Sequence, residues 1–177
     1  MTMTRRLGMF GAAGALCLLA TAAFAHITLE TQQASVGSTY KAVMRVGHGC
    51  EGSPTLKVRI QIPEGVIAVK PMPKPGWELD TVEAPYKHSY DYYGTAMTEG
   101  VREVVWTGKL LDKHYDEFVF RAYLTDGLKP DSMLYFPAVQ ECEKGTDRWI
   151  EIPAEGKSAA DSKYPAPGLR LRPKATN

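Results

Sequence analysis

Apolar and polar residues alternate along most of the chain after residue 26, which is the pattern of strands with one buried face. The alternation is clearest over residues 56–62, where leucine, valine or isoleucine stands at every second position. Residues 40–46 and 118–124 show it too, the latter with apolar residues on both faces. Weaker strand candidates are residues 27–31, 66–70, 77–82, 101–107, 133–139 and 148–152. No stretch of twelve residues has the periodicity of an amphipathic helix.

Turn signals rich in glycine and proline separate these segments. They lie at residues 36–38, 52–54, 63–65, 71–76, 98–100 and 125–127. Seven or more short strands spaced in this way predict an all-β domain, an antiparallel β-sandwich of the immunoglobulin or fibronectin-III type. From residue 154 to residue 177 the chain is polar and contains Pro165 and Pro167, so we expect an extended tail, with a last strand at residues 169–171 as an alternative.

The first 25 residues have the composition of a cleavable signal peptide. Arg5 and Arg6 precede a run of apolar and small residues, and Ala23-Phe24-Ala25 places small residues where a signal peptidase reads. The alternative is an uncleaved anchor, but the run is short for a membrane span of about 20 residues. We therefore predict a signal peptide over residues 1–25 and an exported protein, periplasmic or extracellular, that begins at His26.

Length and charge restrict the mature chain to a few classes. Removing 25 residues from 177 leaves 152, which suits one domain, predicted over residues 26–153. The chain has 21 basic and 20 acidic residues, so losing Arg5 and Arg6 leaves 19 against 20 and a net charge of −1. A near-neutral surface gives no support for nucleic-acid binding or a polybasic membrane patch. We also expect no membrane span in the mature chain.

Two cysteines remain after cleavage, because Cys17 lies in the signal peptide. An even number of cysteines in an oxidising compartment predicts a disulfide between Cys50 and Cys142. The alternative is a two-thiolate metal site, although the spacing is not CxxC-like and only His48 is near. A bridge would close a loop of about 90 residues, worth roughly 4.5 kcal/mol in the chain-entropy model. It would also bring Glu51 towards the segment that contains Trp149.

A histidine that becomes the first residue of a chain has a chemistry of its own. The free α-amine and the imidazole of His26 would close one chelate ring around a metal ion. Copper(II) prefers such nitrogen and oxygen donors in a tetragonal arrangement. The amine has a reference pKa of about 7.7–8.0 and is therefore accessible near neutral pH. The alternative is that His26 merely follows the cleavage site by chance.

Several segments of the chain resemble the YcnI-like copper-binding domain family. They are residues 26–29, 48–58, 62–66, 70–77 and 142–145, together with Trp149. The resemblance covers nearly all of residues 26–153 and implies a β-sandwich that binds copper(II) with a mono-histidine brace. It implies that His26 supplies amine and imidazole, that Glu51 supplies a carboxylate, and that Trp149 lies beside the ion.

Other residues compete for these roles or have ordinary explanations. Glu143 and Glu151 are alternatives for the carboxylate. An indole is a donor only, so Trp149 would cap the ion with its ring face, as in a cation–π contact. Trp77 and Trp106 are interpreted as core or sheet-surface residues.

The remaining histidines, methionines and tyrosines add little to the metal hypothesis. His48, His88 and His114 lack a partner at metal-ligand spacing, and only His48 is kept as a neighbour of the site. The methionines do not cluster, which argues against a copper(I) carrier. Tyrosines crowd residues 86–93 and indicate either a binding surface or a half-exposed strand.

The sequence thus predicts a non-enzymatic, exported copper(II)-binding protein that serves copper acquisition, delivery or tolerance. Its partners would be the copper ion and other copper-handling proteins of the periplasm or membrane. One alternative is an oxidative copper enzyme of the polysaccharide-monooxygenase kind, which needs a second histidine at the metal. The other is an immunoglobulin-like interaction module without a metal, in which His26 is accidental.

Overall fold

A computed structural model describes residues 26–154 and 156–175, so the predicted signal peptide lies outside the described residues. The described chain consists of strands and a 3-10 turn at Ala159–Asp161. The strands are β1 (Thr28–Leu29), β2 (Gln33–Ser35), β3 (Ser38–Val46), β4 (Thr55–Gln61), β5 (Val66–Pro71), β6 (Glu78–Tyr92), β7 (Thr95–Leu110), β8 (Asp116–Leu124), β9 (Met133–Tyr135), β10 (Ala138–Cys142), β11 (Thr146–Trp149) and β12 (Gly168–Arg172). Within these residues, no helix is long and apolar enough to cross a membrane.

Two antiparallel sheets form the body of the domain. One has the strand order β1-β3-β8-β5 and the other the order β11-β10-β4-β7-β6. The alternation seen in the sequence gives each strand one inward face: Val58 and Ile60 on β4 are fully buried, as are Phe118 and Phe120 on β8. The predicted all-β fold of immunoglobulin type is confirmed.

The hairpin of β6 and β7 is longer than the sequence indicated. The predicted turn at residues 98–100 is wrong, because these residues lie inside β7, and the chain turns at Tyr93–Gly94 instead. Gly100 is needed for packing and not for a turn: a Cβ there would lie 2.0 Å from the hydroxyl oxygen of Tyr86. Glycine in a strand often marks such a close approach.

The predicted strand over residues 133–139 is two strands in the structure. Phe136 and Pro137 separate β9 from β10, and Phe136 is fully buried and donates its N–H to the carbonyl of Pro167. Proline has no N–H for a ladder, so a break at Pro137 costs the sheets little. The break lets β9 join a third sheet, of order β2-β12-β9, while β10 enters the five-stranded sheet.

The segment after residue 153 packs onto the domain instead of trailing away from it. Strand β12 pairs with β2 in parallel and with β9 in antiparallel orientation. It contains the strand suggested at residues 169–171, and Leu169 and Leu171 are part of the hydrophobic core. The polar composition of the rest of this segment concealed its packing onto the domain.

Candidate metal centre

The loop between β3 and β4 holds Glu51 in a tight turn. Ser53 closes the turn by donating both its N–H and its hydroxyl to the carbonyl of Cys50, each at 2.9 Å. Glu51 (φ 49°) and Gly52 (φ 80°) adopt the left-handed conformation at its tip. Glycine accepts this conformation freely, whereas a residue with a side chain pays roughly 1–2 kcal/mol. Glu51 is therefore held, exposed, at a strained position, as residues of functional sites often are.

The predicted disulfide between Cys50 and Cys142 is present in the structure. The two Cα atoms lie 5.8 Å apart, a usual separation for a bridge. Cys50 is buried, and the bridge ties the Glu51 turn to the end of β10. The hydroxyl oxygen of Ser53 adds a second tie to the same region, because it accepts the N–H of Lys144 at 3.2 Å.

A buried glutamine connects this loop to Trp149. The side-chain amide of Gln140 donates to the carbonyl of His48 at 2.6 Å and to the hydroxyl of Thr55 at 2.7 Å. Its side-chain oxygen accepts the indole N–H of Trp149 at 3.1 Å. Gln140, Thr55 and Trp149 are each at most 2% exposed, so this network is shielded from water. It fixes the orientation of the Trp149 ring relative to the loop.

Three rings surround Trp149. Its centroid lies 5.5 Å from that of His26 and 6.5 Å from that of His48. Tyr164, from the C-terminal segment, packs edge-on against it with a centroid separation of 5.3 Å. The indole is consequently buried, although it is close to the first described residue of the chain.

Charged side chains lie near Trp149 and Tyr164. Burial raises the pKa of Asp147 above its usual value. A hydrogen bond with Tyr164 and the electrostatic interaction with His48 act against the rise in pKa, and the nearby Glu51 adds to it. The ammonium group of Lys163 lies 4.9 Å from the centroid of the Tyr164 ring. Glu51 is thus within electrostatic range of the strand that carries Trp149.

A cavity of about 210 Å³ opens beside His26. Its walls include Ile27 and Leu29 of the N-terminal segment, Met133 of β9, and residues 165–168 of the C-terminal segment. His26 is half-buried at the edge of this cavity. The histidine therefore has the Trp149 ring on one side and open space on another.

The structure brings two of the three predicted site residues into contact and the third into the same region. His26 contacts Trp149, and Glu51 lies on the loop that the disulfide and Gln140 fasten to the strands around Trp149. Among the described residues, no group of three or more His, Cys, Asp or Glu side chains has the arrangement of a metal site. A brace needs only two such side chains, since its third donor is an amine. In the 177-residue chain that nitrogen belongs to the peptide bond with Ala25.

The competing glutamates form main-chain hydrogen bonds in the same region as the site. Glu143 donates its N–H to the carbonyl of Pro54, and Glu151 pairs through its main chain with Tyr164 and Ala166. His88 packs against Tyr90 on the long hairpin, and His114 is exposed in the loop before β8.

Sequence reasoning found His48 as a neighbour of the site but missed Gln140, Asp147 and Tyr164. Gln140 stands two residues after Ala138 and two before the disulfide cysteine on β10, and this alternation was the only signal that it faces inward. Asp147 alternates with Trp149 on β11 and shares its buried face. Tyr164 lies in the segment interpreted as a tail and gave no signal.

Taken together, these features define a small β-sandwich domain of immunoglobulin-like architecture with one disulfide beside a histidine–tryptophan contact. The solved structures include a similar chain, a crystal structure of an uncharacterised protein from Nocardia farcinica that reveals an immunoglobulin-like fold. The TM-score is 0.62 at 22% identity, and the match covers 83% of this chain and 98% of that chain. Among curated proteins, none matches this sequence. A family model described as "Domain of unknown function (DUF1775)" matches residues 26–171, and the chain belongs to this family.

Proposed function

We propose that this chain is an exported, non-enzymatic copper(II)-binding protein whose site consists of His26 as the first residue, Glu51 and Trp149. The observation that carries the proposal is the contact of the His26 and Trp149 rings at 5.5 Å. The family model begins at residue 26, which is the residue that cleavage after Ala25 would expose. The DUF1775 family corresponds to the YcnI-like family in which the resemblance implies a copper brace.

The donor chemistry fits copper(II). The imidazole of His26 is a nitrogen donor, cleavage would add the amine on the same residue, and Glu51 supplies an exposed oxygen donor. Copper(II) heads the affinity order of divalent ions for such nitrogen and oxygen sites. The Trp149 indole directs its N–H at Gln140, so its ring face is what remains for the ion.

The protein would accept copper as cargo and pass it on. An exposed Glu51 and a cavity beside His26 leave the ion accessible to an exchanging partner. We place the protein in copper acquisition, delivery or tolerance, in the periplasm or outside the cell. The disulfide supports an oxidising compartment.

The test is isothermal titration of copper(II) into three forms of the protein. The first is exported and begins with His26, the second keeps a methionine before His26, and the third begins with His26 but is acetylated. We expect the second and third forms to bind far more weakly, because each retains the imidazole but lacks the free amine. A His88→Ala variant of the first form is the matched control and should bind normally. Equal affinity of all three forms would refute the brace.

Fluorescence locates the ion independently. Copper(II) should quench the emission of Trp149, and Trp149→Phe should remove most of this quenching, whereas Trp77→Phe should not. An ascorbate-driven turnover assay separates the binding protein from a copper monooxygenase. Binding without turnover supports the proposal, and sustained turnover contradicts it.

A further inference from the structure

Three basic residues lie side by side on the outer face of the four-stranded sheet. Lys41 on β3 is the register partner of Arg121 on β8, and Arg121 is also the register partner of Lys70 on β5. All three are exposed. Neighbouring strands lie about 4.8 Å apart, so the three charges form a row roughly 10 Å long across the sheet. We call Lys41, Arg121 and Lys70 the basic row.

The basic row is costly to the fold. Like charges directly opposite each other on adjacent strands are destabilising, and here one arginine faces a lysine on both sides. In the part of the chain that the structure describes, none of the three forms a salt bridge. Five other basic residues do, namely Lys57, Arg59, Lys74, Arg102 and Lys174. A hydrogen bond from Arg121 to the hydroxyl of Thr39 at 3.2 Å leaves most of the guanidinium donors for another partner.

An aromatic cluster borders the basic row on one side. Tyr123 follows Arg121 by two residues and so shares its face of the sheet. Tyr92 and Tyr93, at the tip of the long hairpin, reach across to it with ring-centroid separations of 5.4 and 5.7 Å. Tyr93 also packs against Tyr92, with ring centroids 4.8 Å apart, and is nevertheless 76% exposed.

Apolar side chains border the row on the other side. Val43 and Val119 are register partners there and are buried, at 5% and 8% exposed, whereas Met72, whose N–H bonds to the carbonyl of Val119, is 52% exposed. Along the strands, the exposed side chains therefore change from Met72 to the basic row to the tyrosines. Tyrosine, arginine and methionine are the residues enriched in protein interfaces.

Acidic groups limit the basic region along the strands. Glu117 is the register partner of Arg45 beyond the valines, and Asp126 pairs with Lys174 beyond the tyrosines. The positive region is consequently a band one residue wide. A flat anionic bilayer would meet these acidic groups as well, whereas a single extended chain laid along the row would not.

We propose that the basic row, with the tyrosines and Met72 beside it, binds an acidic peptide segment of a partner protein. Carboxylates of the segment would lie on the row, where Arg121 offers the fork that matches a carboxylate. Its apolar side chains would pack on Met72 and on Tyr93. An acidic polysaccharide would use the charges but has no apolar side chains for Met72. This site is separate from the candidate metal centre and does not depend on copper binding.

The probe is a fluorescent decapeptide with three glutamates and two leucines, titrated into the exported protein at low salt and followed by anisotropy. The matched peptide has glutamine in place of each glutamate. We expect binding of the acidic peptide only, weakening as salt rises. Changing all three residues of the row (Lys41→Gln, Lys70→Gln and Arg121→Gln) should weaken the affinity for the acidic peptide at least about tenfold. The control variant, Lys113→Gln with Lys129→Gln, alters two exposed lysines elsewhere and should change this affinity by less than about twofold.

Two further variants separate specific contacts with Arg121 and Tyr93 from the effect of net charge. Arg121→Lys keeps the charge and should still lose affinity, and Tyr93→Ser should weaken the acidic peptide without altering the row. Thermal unfolding by circular dichroism verifies that each variant is folded. Equal binding of the two peptides, or equal affinity of the row variant and the control variant, overturns the proposal. Tighter binding to phosphatidylglycerol vesicles or to oligogalacturonate than to the acidic peptide overturns it as well, in favour of a lipid surface or a glycan.

Discussion

Replacing Gln140 by methionine keeps the size of the side chain and removes its three hydrogen bonds. The indole N–H of Trp149 and the hydroxyl of Thr55 then lose a partner in a region where both residues are at most 2% exposed. Each buried polar group left unsatisfied costs about 1–3 kcal/mol, and burial of the added apolar atoms returns about 1 kcal/mol. We expect Gln140→Met to lower the free energy of unfolding by about 1–5 kcal/mol.

The variant should still be folded in the absence of urea, because small domains are stable by about 5–15 kcal/mol. Urea unfolding of the oxidised protein gives the change as a shift in midpoint at constant slope. Gln61→Met, at the exposed end of β4, is the matched control and should leave the midpoint unchanged. A loss below about 1 kcal/mol for Gln140→Met would refute the reasoning, because it would show that the network is not isolated from water.

Three other predictions concern stability. Changing Cys50 and Cys142 together to serine should lower the free energy of unfolding, measured by urea unfolding, by about 2–5 kcal/mol. Equal stability of the oxidised and reduced wild-type protein would contradict this. Lys41→Gln should raise it by about 0.2–1 kcal/mol at low salt, because it removes a like charge opposite Arg121, and a loss of stability would contradict the cost assigned to the basic row. Burial alone would raise the pKa of Glu64, but hydrogen bonds from Tyr90 and the Lys87 N–H and the charge of Arg102 lower it overall. Ionised Glu64 therefore stabilises the fold above its unfolded pKa of about 4.3, and it loses this effect as the pH falls through the lower pKa of the folded state. The difference in free energy of unfolding between wild type and Glu64→Gln should consequently shrink between pH 7 and pH 3.

Strands that bury one face were predictable because alternation is a local property. β4 is the clearest case, with the segment predicted over residues 56–62 displaced by one residue from Thr55–Gln61. The hairpin of β6 and β7 was not predictable in full, because most residues of its distal half are exposed and no run of aliphatic side chains marks it. The glycine at position 100 then resembled a turn, although its role is to make room for the Tyr86 ring.

The candidate site was predictable only where chemistry or resemblance singled out a residue. Two cysteines in an exported chain predict a bridge, and the bridge alone places Glu51 near β10. Gln140 was missed because glutamine is usually exposed, and its burial depends on partners in three other segments. The contact between Tyr164 and Trp149 was missed because it depends on how the C-terminal segment returns across the sheet.

Under the proposed function, the site exists only in the folded, oxidised and processed protein. His26 comes from the start of the mature chain, Glu51 from a loop held by the disulfide, and Trp149 from a strand near the other end. An ion that contacts all three binds the native state more tightly than the unfolded chain, which keeps only the His26 chelate. It therefore stabilises the fold, by less than the roughly 2.7 kcal/mol that exclusive binding to the native state would give at one hundred times the dissociation constant. The precursor, in which the nitrogen of His26 is a peptide nitrogen, gains less, because it lacks one donor. Removal of the signal peptide would thus complete the metal site and allow copper to stabilise the domain in the same step.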